Sequence, residues 1–336
     1  MIIQKAGMND ITAAVQLAAQ EYMKEASICE ALGKIAEPEV IASSLQELIT
    51  ELFKNNHSYV GYEGDRLLGY IGFFGPWDGF FGNVKGAFSP LGGSAFTGDD
   101  RAKVSSRILA YAMDEMVKEQ VLSFAISRYA HDEQVARALV FNGFGIRCSD
   151  AIRSIKDFEK KPERSDEVYY CELEPEEYNQ IIELDRGLNT HLLKAPVFFP
   201  VDLNRAFPDH EISKDSRIFA AKVKTEQDKD RIVGFMRVGG DGETMICDLP
   251  GMMNICGAYV HPDYRNHKVA EGLLYTMIGQ LRKEGTAYLG VDCETLNPTA
   301  LRFWGKYFEN YTYSYARRLD ERVVGYEAYE EAFWRR

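Results

Sequence analysis

The chain reads as an α/β protein of the α+β kind. It is expected to hold two similar domains, each a mixed, mostly antiparallel sheet flanked by helices. Three observations predict this. The 336 residues are ample for two domains with separate cores. Strings in the first half return in the second at a nearly constant spacing. Within each half, stretches of strand-like alternation and of helix-like period follow in the same order.

The repeats are short but ordered. "DRLLGYIGF" from Asp65 is answered by "DRIVGFMRV" from Asp230, "GAFS" from Gly86 by "GAYV" from Gly257, and "RILAYAMDEMVKE" from Arg107 by "GLLYTMIGQLRKE" from Gly272. The outer pairs share one offset and the middle pair differs, as compensating loop lengths around one strand would produce.

In the second half, Val168–Cys171 reads as a strand and Pro175–Leu193 as a helix whose acidic first turn suits its dipole. Arg217–Val223 and Arg231–Val238 read as a hairpin, and Met253–Val260 as a further strand. Asn266–Lys283 is expected to be a helix, with Val269, Leu273, Met277 and Leu281 forming a buried stripe. Ala287–Val291 reads as a strand, Pro298–Tyr307 as a helix with proline in its first turn, and Tyr311–Tyr315 as a closing strand. The charged, proline-containing "KDFEKKPERSDE" reads as a linker, so the domains are expected at 1–160 and 161–336. The aromatic run from Gly69 to Phe88, with Phe73, Phe74, Trp77, Phe80 and Phe81, is expected to line a hairpin and its tip. "YEAYEEAFW" near the C-terminus has helical spacing and is expected to pack the tail onto its domain.

Composition excludes several classes. A net charge of -12 argues against a nucleic-acid partner, which calls for a basic face, and suits a cationic substrate. The N-terminal stretch lacks the apolar core of a secretory signal, and no run approaches membrane-spanning length. Cys29, Cys148, Cys171, Cys247, Cys256 and Cys293 form no C-x-x-C pair and read as reduced thiols of a cytoplasmic protein. The six histidines show no ligand spacing, so no metal is expected.

The chemistry concentrates in "CGAYVHPDYRNHKVAEGLLYTMIGQLRK", from Cys256 to Lys283. Here a strand runs through a short basic turn into a helix. The first amides of such a helix lack partners and attract anions, phosphates above all. Arg265, His267 and Lys268 add donors at that place. The run resembles the acyl-coenzyme A signature of the GNAT superfamily of N-acetyltransferases, through Val260, Pro262, Arg265, Val269 and Ala270. "NPTALRFW" from Asn297 is similar to the family's Asn-x-x-Ala helix. With the order of elements, the resemblance spans essentially the whole chain as a tandem pair. Lys268 departs from it, standing where the family has glycine.

The resemblance implies acetyl-CoA as co-substrate, with Ala258, Tyr259, Val260, Arg265, Asn266, His267, Lys268, Val269, Ala270, Asn297, Ala300 and Trp304 along its path. It implies transfer of an acetyl group to a primary amine of a small molecule or peptide. Trp304 stands where the family often has a proton-donating tyrosine, and Tyr307, a turn further on, is the substitute candidate. Asp292 and Glu294 are the candidate bases. Asp100 aligns with Arg265, and Asp132 with Asn297, so the first domain is expected to be degenerate for coenzyme. The alternative reading is a non-catalytic acyl-CoA-binding or interaction protein, favoured by Lys268 and Trp304. A third, aminoacyl transfer from charged transfer RNA on a related tandem fold, is opposed by the acidic charge and the lack of a long helical arm.

Overall fold

Strands and helices follow one another in the computed structural model in the order the sequence predicts. The structure describes residues 1–80, 82–156, 158, 167–198, 216–226, 229–240 and 242–325. The expected boundary at 160/161, Phe81 and the expected C-terminal helix from Tyr326 to Trp334 lie outside them.

The first half contains β1 (Ile2–Lys5), α1 (Ile11–Ala26), α2 (Glu30–Gly33), α3 (Pro38–Lys54), β2 (Ser58–Glu63), β3 (Arg66–Gly72), β4 (Phe74–Trp77), β5 (Lys85–Ser89), β6 (Ser94–Phe96), α4 (Arg101–Val117), β7 (Val121–Tyr129), α5 (Glu133–Phe141) and β8 (Gly145–Ser154). The second half contains β9 (Val168–Glu172), α6 (Ile182–Leu192), β10 (Arg217–Lys224), β11 (Asp230–Gly239) and β12 (Met252–Val260). It continues with α7 (Val269–Lys283), β13 (Tyr288–Glu294), α8 (Pro298–Trp304) and β14 (Glu309–Arg318).

By packing, the chain divides into Met1–Ser149 with Asn310–Arg336, and Asp150–Glu309. The strand read from sequence as closing the second half therefore pairs elsewhere. β14 runs antiparallel to β7 of the first unit, Thr312 facing Tyr129 and Ala316 facing Ala125. The end of β8, from Asp150, takes the corresponding place beside β13 in the second unit. Each closing strand comes from the other half of the sequence, which no local pattern encodes.

In the first unit β1, β2, β3 and β6 form one antiparallel set, while β5 pairs parallel with β7. Its core gathers Tyr59, Ile71, Phe73, Ile108, Met116, Phe124 and Tyr315. Phe73 enters that core, whereas Trp77 at the hairpin is 45% exposed and packs on Phe80 at 5.1 Å.

In the second unit β9, β10, β11 and β12 pair antiparallel, and β12 pairs parallel with β13. α7 lies on one face of this sheet. Val269, Leu273, Met277 and Leu281 are buried there against Phe219, Met236, Ile255 and Leu289, as the every-fourth-residue stripe predicts. Each such side chain contributes about 1.5–3 kcal/mol on burial. α6 belongs to the other face, with Ile181 and Leu184 on Ile218, Ala220 and Phe235.

Three element limits differ from the sequence reading. Pro175–Ile181 is a 3-10 turn ahead of α6, closed by a reciprocal capping box between Glu174 and Glu177. α8 stops at Trp304. β13 extends to Glu294, so Asp292 and Glu294 sit on the strand rather than after it. No described helix is long and apolar enough to cross a membrane.

Candidate acyl-transfer site

β12 and β13 pair from Met252 opposite Tyr288 to Ile255 opposite Val291, and the pairing ends there. Beyond that point the two strands diverge. β12 continues to Val260, paired only with β11, so its backbone from Cys256 onward faces an open wedge. Ala258, Tyr259 and Val260 lie on this stretch. The Ala258 and Val260 side chains pack toward α7, and Tyr259 toward α6.

The turn from β12 into α7 explains why glycine is not required there. Asn266 and Lys268 both take the left-handed conformation, at φ 65° and 59°. That is why the helix begins at Val269, three residues later than the sequence pattern suggests. Holding lysine there costs roughly 1–2 kcal/mol. The conformation opens the helix terminus, since Lys268 supplies no side-chain cap and the first helical bond runs from Gly272 N–H to Lys268 O at 2.9 Å. The amides of Val269, Ala270 and Glu271 are therefore without an intrahelical carbonyl, an arrangement suited to phosphate oxygens. Asn266, His267 and Lys268 are exposed around it, Val269 is buried and Ala270 half-buried. Arg265 donates from Nε to Val260 O at 3.1 Å, its guanidinium 5.2 Å from the Tyr259 ring centroid. This anchors the side chain and leaves its outer nitrogens beside the turn.

α8 starts just past the end of β13. Asn297 caps it, its Oδ1 accepting from Ala300 N–H at 3.2 Å, and Ala300 packs on the core. Trp304 is 8% exposed and stacks edge-on with Phe303 and Phe308 at 4.8 and 5.6 Å. It is a core residue. Tyr307 reaches α7 instead, its ring 6.3 Å from that of Tyr275, whose hydroxyl donates to Glu271 at 3.1 Å. Burial, reinforced by Glu271 and Tyr275, pushes its phenol up to about 12, so it keeps its proton at neutral pH.

On the face away from α7, sequence reasoning located one acid of interest and missed two. Asp292 sits where the strands part, exposed at its edge, and the protein packed about its carboxyl raises it above the ordinary value. Asp150, at the end of β8, is only 6% exposed. Ile155 N–H donates to Ala287 O at 2.9 Å, and Asp150 lies in electrostatic reach of Asp292, so β8 and β13 run antiparallel. Counting back from Ile155 and forward from Ala287 in step sets Asp150 opposite Asp292. Glu243 arrives from the loop after β11. That loop is tied to the same face by Asn254, whose Nδ2 donates to Gly240 O and Cys247 O, both at 3.5 Å.

Burial, then Asp292 and Glu243, push the Asp150 carboxyl well up, and loss of surrounding water, followed by Asp292, raises the exposed Glu243. Only strand exchange brings Asp150 here, so no local sequence signal could have found it. A carboxyl raised in the folded state adds stability below its unfolded pKa and loses it as pH rises toward the folded value. The urea midpoint of the wild type is thus expected to fall relative to that of a variant lacking the Asp150 carboxyl from about pH 4 upward. Asp150→Asn is expected to fall less over the same range. Parallel pH profiles for the two proteins would contradict this electrostatic account.

The equivalent region of the first unit is built differently. α4 starts at Arg101, a turn earlier than alignment with α7 would put it, and Asp100 caps it by accepting from Lys103 N–H at 2.9 Å. A carboxylate already occupies that helix terminus. Between β6 and β7, Arg128 donates to Ser94 O, and at 2.7 and 2.6 Å to Glu21 and Asp132. Arg101 joins the same two acids at 2.6 and 2.7 Å. Burial pushes Asp132 up, but Arg128 and Arg101 more than offset it and hold the carboxyl low.

Comparison with known proteins agrees with this geometry. Residues 184–309 match the model of the acetyltransferase (GNAT) family. A GCN5-related N-acetyltransferase from Sphaerobacter thermophilus superposes with a TM-score of 0.56 at 12% identity, over 94% of this chain and 95% of that one. A GCN5-related glucosamine N-acetyltransferase region of a fungal multi-domain GH3 beta-N-acetylglucosaminidase gives 0.52 at 13% identity, over 94% of this chain and 38% of that one. This chain thus spans well under half the length of the fungal protein. Among curated protein sequences none matches. With the diverging strands, the open helix terminus and the order of elements in place, residues 184–309 carry the domain of the GNAT acetyltransferase family, and the fold over most of the chain is that of GCN5-related N-acetyltransferase structures.

Proposed function

We propose that the second unit transfers an acetyl group from acetyl-CoA to a primary amine of a small molecule or peptide. The observation that carries this reading is the wedge between β12 and β13, which opens with Asp292 at its apex and the uncapped start of α7 at its far end. The diphosphate of the coenzyme is assigned to the amides of Val269, Ala270 and Glu271, with Arg265 and Lys268 as charged donors. Backbone N–H groups of β12 around Ala258–Val260 polarise the acyl carbonyl as negative charge develops on its oxygen.

The amine nitrogen attacks the thioester carbon, the carbon–sulfur bond breaks, and the thiolate leaves with its electron pair. Asp292 takes the proton that the new ammonium sheds. Its raised carboxyl brings it nearer the pKa range that suits a base at neutral pH. Glu294 lies further along β13, a second carboxylate in reserve. Tyr307 is the candidate proton source for the thiolate, beside Tyr275 on α7.

Titration with acetyl-CoA, followed by free-thiol release over a panel of amines, tests the reading. Binding with thiol release supports it, and Asp292→Asn is then expected to lower kcat by about 10²–10⁴-fold. Binding without release on any amine favours a non-catalytic acyl-CoA-binding protein. That second reading draws on the burial of Trp304 and the packing of Tyr307 against Tyr275. Absence of binding overturns both.

A further inference from the structure

We infer that α6 sets the coenzyme grip from the face of the sheet opposite α7. Gly187 seats the ring of Tyr259, and that ring holds the Arg265 guanidinium at the phosphate turn, which makes Gly187 and Tyr259 positioning residues. What the guanidinium grips rests on the acyl-transfer reading.

Gly187 lies inside α6, where glycine weakens a helix relative to alanine. The packing accounts for it. A β-carbon at this position would stand 2.8 Å from Cε1 and 2.9 Å from both Cζ and Oη of Tyr259, well inside the roughly 3.5–4.0 Å at which carbon atoms pack. The phenol end of the half-buried ring therefore lies directly on the helix backbone.

The same ring carries the guanidinium. Arg265 Cζ stands 5.2 Å from its centroid, and Nε donates to Val260 O at 3.1 Å. A cation over an aromatic face is held without using its N–H donors, so the outer nitrogens stay free to meet phosphate oxygens. Moving the ring moves the support of the guanidinium.

α6 is a firm seat. Leu184 packs on Ile218, Ala220 and Phe235. Asp185, 5% exposed, lies 3.7 Å from Arg237 Nη1, while Arg237 Nη2 donates to Cys256 O at 3.2 Å. The helix is thus tied to β12, the strand that bears Tyr259, and the ring rather than the helix would yield to an added β-carbon.

Calorimetric titration of the full chain with acetyl-CoA tests the inference. Gly187→Ala and Tyr259→Ala are each expected to weaken binding roughly 2- to 5-fold, the range of an exposed cation–π contact. Tyr259→Phe keeps the ring and is expected to rescue the affinity. On an Arg265→Ala background neither alanine variant is expected to cost anything further, because no guanidinium remains to be placed. Additive losses on that background overturn the inference. So does a Gly187→Ala protein that resists urea better than the wild type yet binds acetyl-CoA equally well, since its ring would be free to move. Tyr259→Ala keeps the test decisive should Gly187→Ala fold poorly.

Binding that Arg265→Ala weakens while the Gly187 and Tyr259 variants leave it untouched refutes the positioning role alone and upholds the coenzyme site. Absence of acetyl-CoA binding by the wild type refutes both.

Discussion

Arg128→Ala is expected to destabilise the protein by about 3 kcal/mol, at the lower end of the 3–5 kcal/mol typical for breaking a buried ion pair. Arg128 is 2% exposed and holds Glu21 and Asp132, themselves nearly buried, together with the carbonyl of Ser94. Removing it strands two carboxylates away from water. Arg101 still bridges both, which is why the lower figure is expected. The guanidinium also stands 5.2 Å from the Phe96 ring centroid, a contact that alanine loses. Urea denaturation at neutral pH checks the value, and a loss below about 1 kcal/mol would place the pair in the weak, surface class. The same cluster accounts for the first unit's expected failure with coenzyme. Arg128 ties β7 to Ser94 across the gap between β7 and β6, where the second unit has its open wedge. By the offset that relates Asp132 to Asn297, the second half has Cys293 at this place, a small side chain packed in the core beneath α7.

Arg265→Ala is expected to weaken acetyl-CoA binding by about 1–3 kcal/mol, the scale of one charged hydrogen bond. The side chain is exposed and anchored only through Val260 O and the face of Tyr259. Its removal therefore leaves the fold intact and isolates the phosphate contribution. Asp100→Ala, at the capped helix of the first unit, is expected to leave binding unchanged. Equal losses in the two variants would move the coenzyme site to the first unit. Lys268→Gly separates strain from charge at the same turn. Relief of the left-handed φ of 59° is expected to raise stability by roughly 1 kcal/mol, while coenzyme affinity falls only as far as the lysine charge contributed.

The sequence by itself determined the order of elements, the duplication, the basic turn and the stripe that seats α7, because each is written in spacing of a few residues. Period, proline and charge are local, and local physics suffices to read them. The tertiary structure alone decided which strand closes which sheet. It turned Trp304 into the core, set Tyr307 against Tyr275, and brought Asp150 opposite Asp292 across strands far apart in sequence. Those outcomes depend on pairing between distant segments, where register and burial are settled by the whole fold. Lys268 belongs to both accounts. Its departure from glycine was plain in the sequence, but only the backbone showed that lysine takes the left-handed turn and leaves the helix amides uncovered.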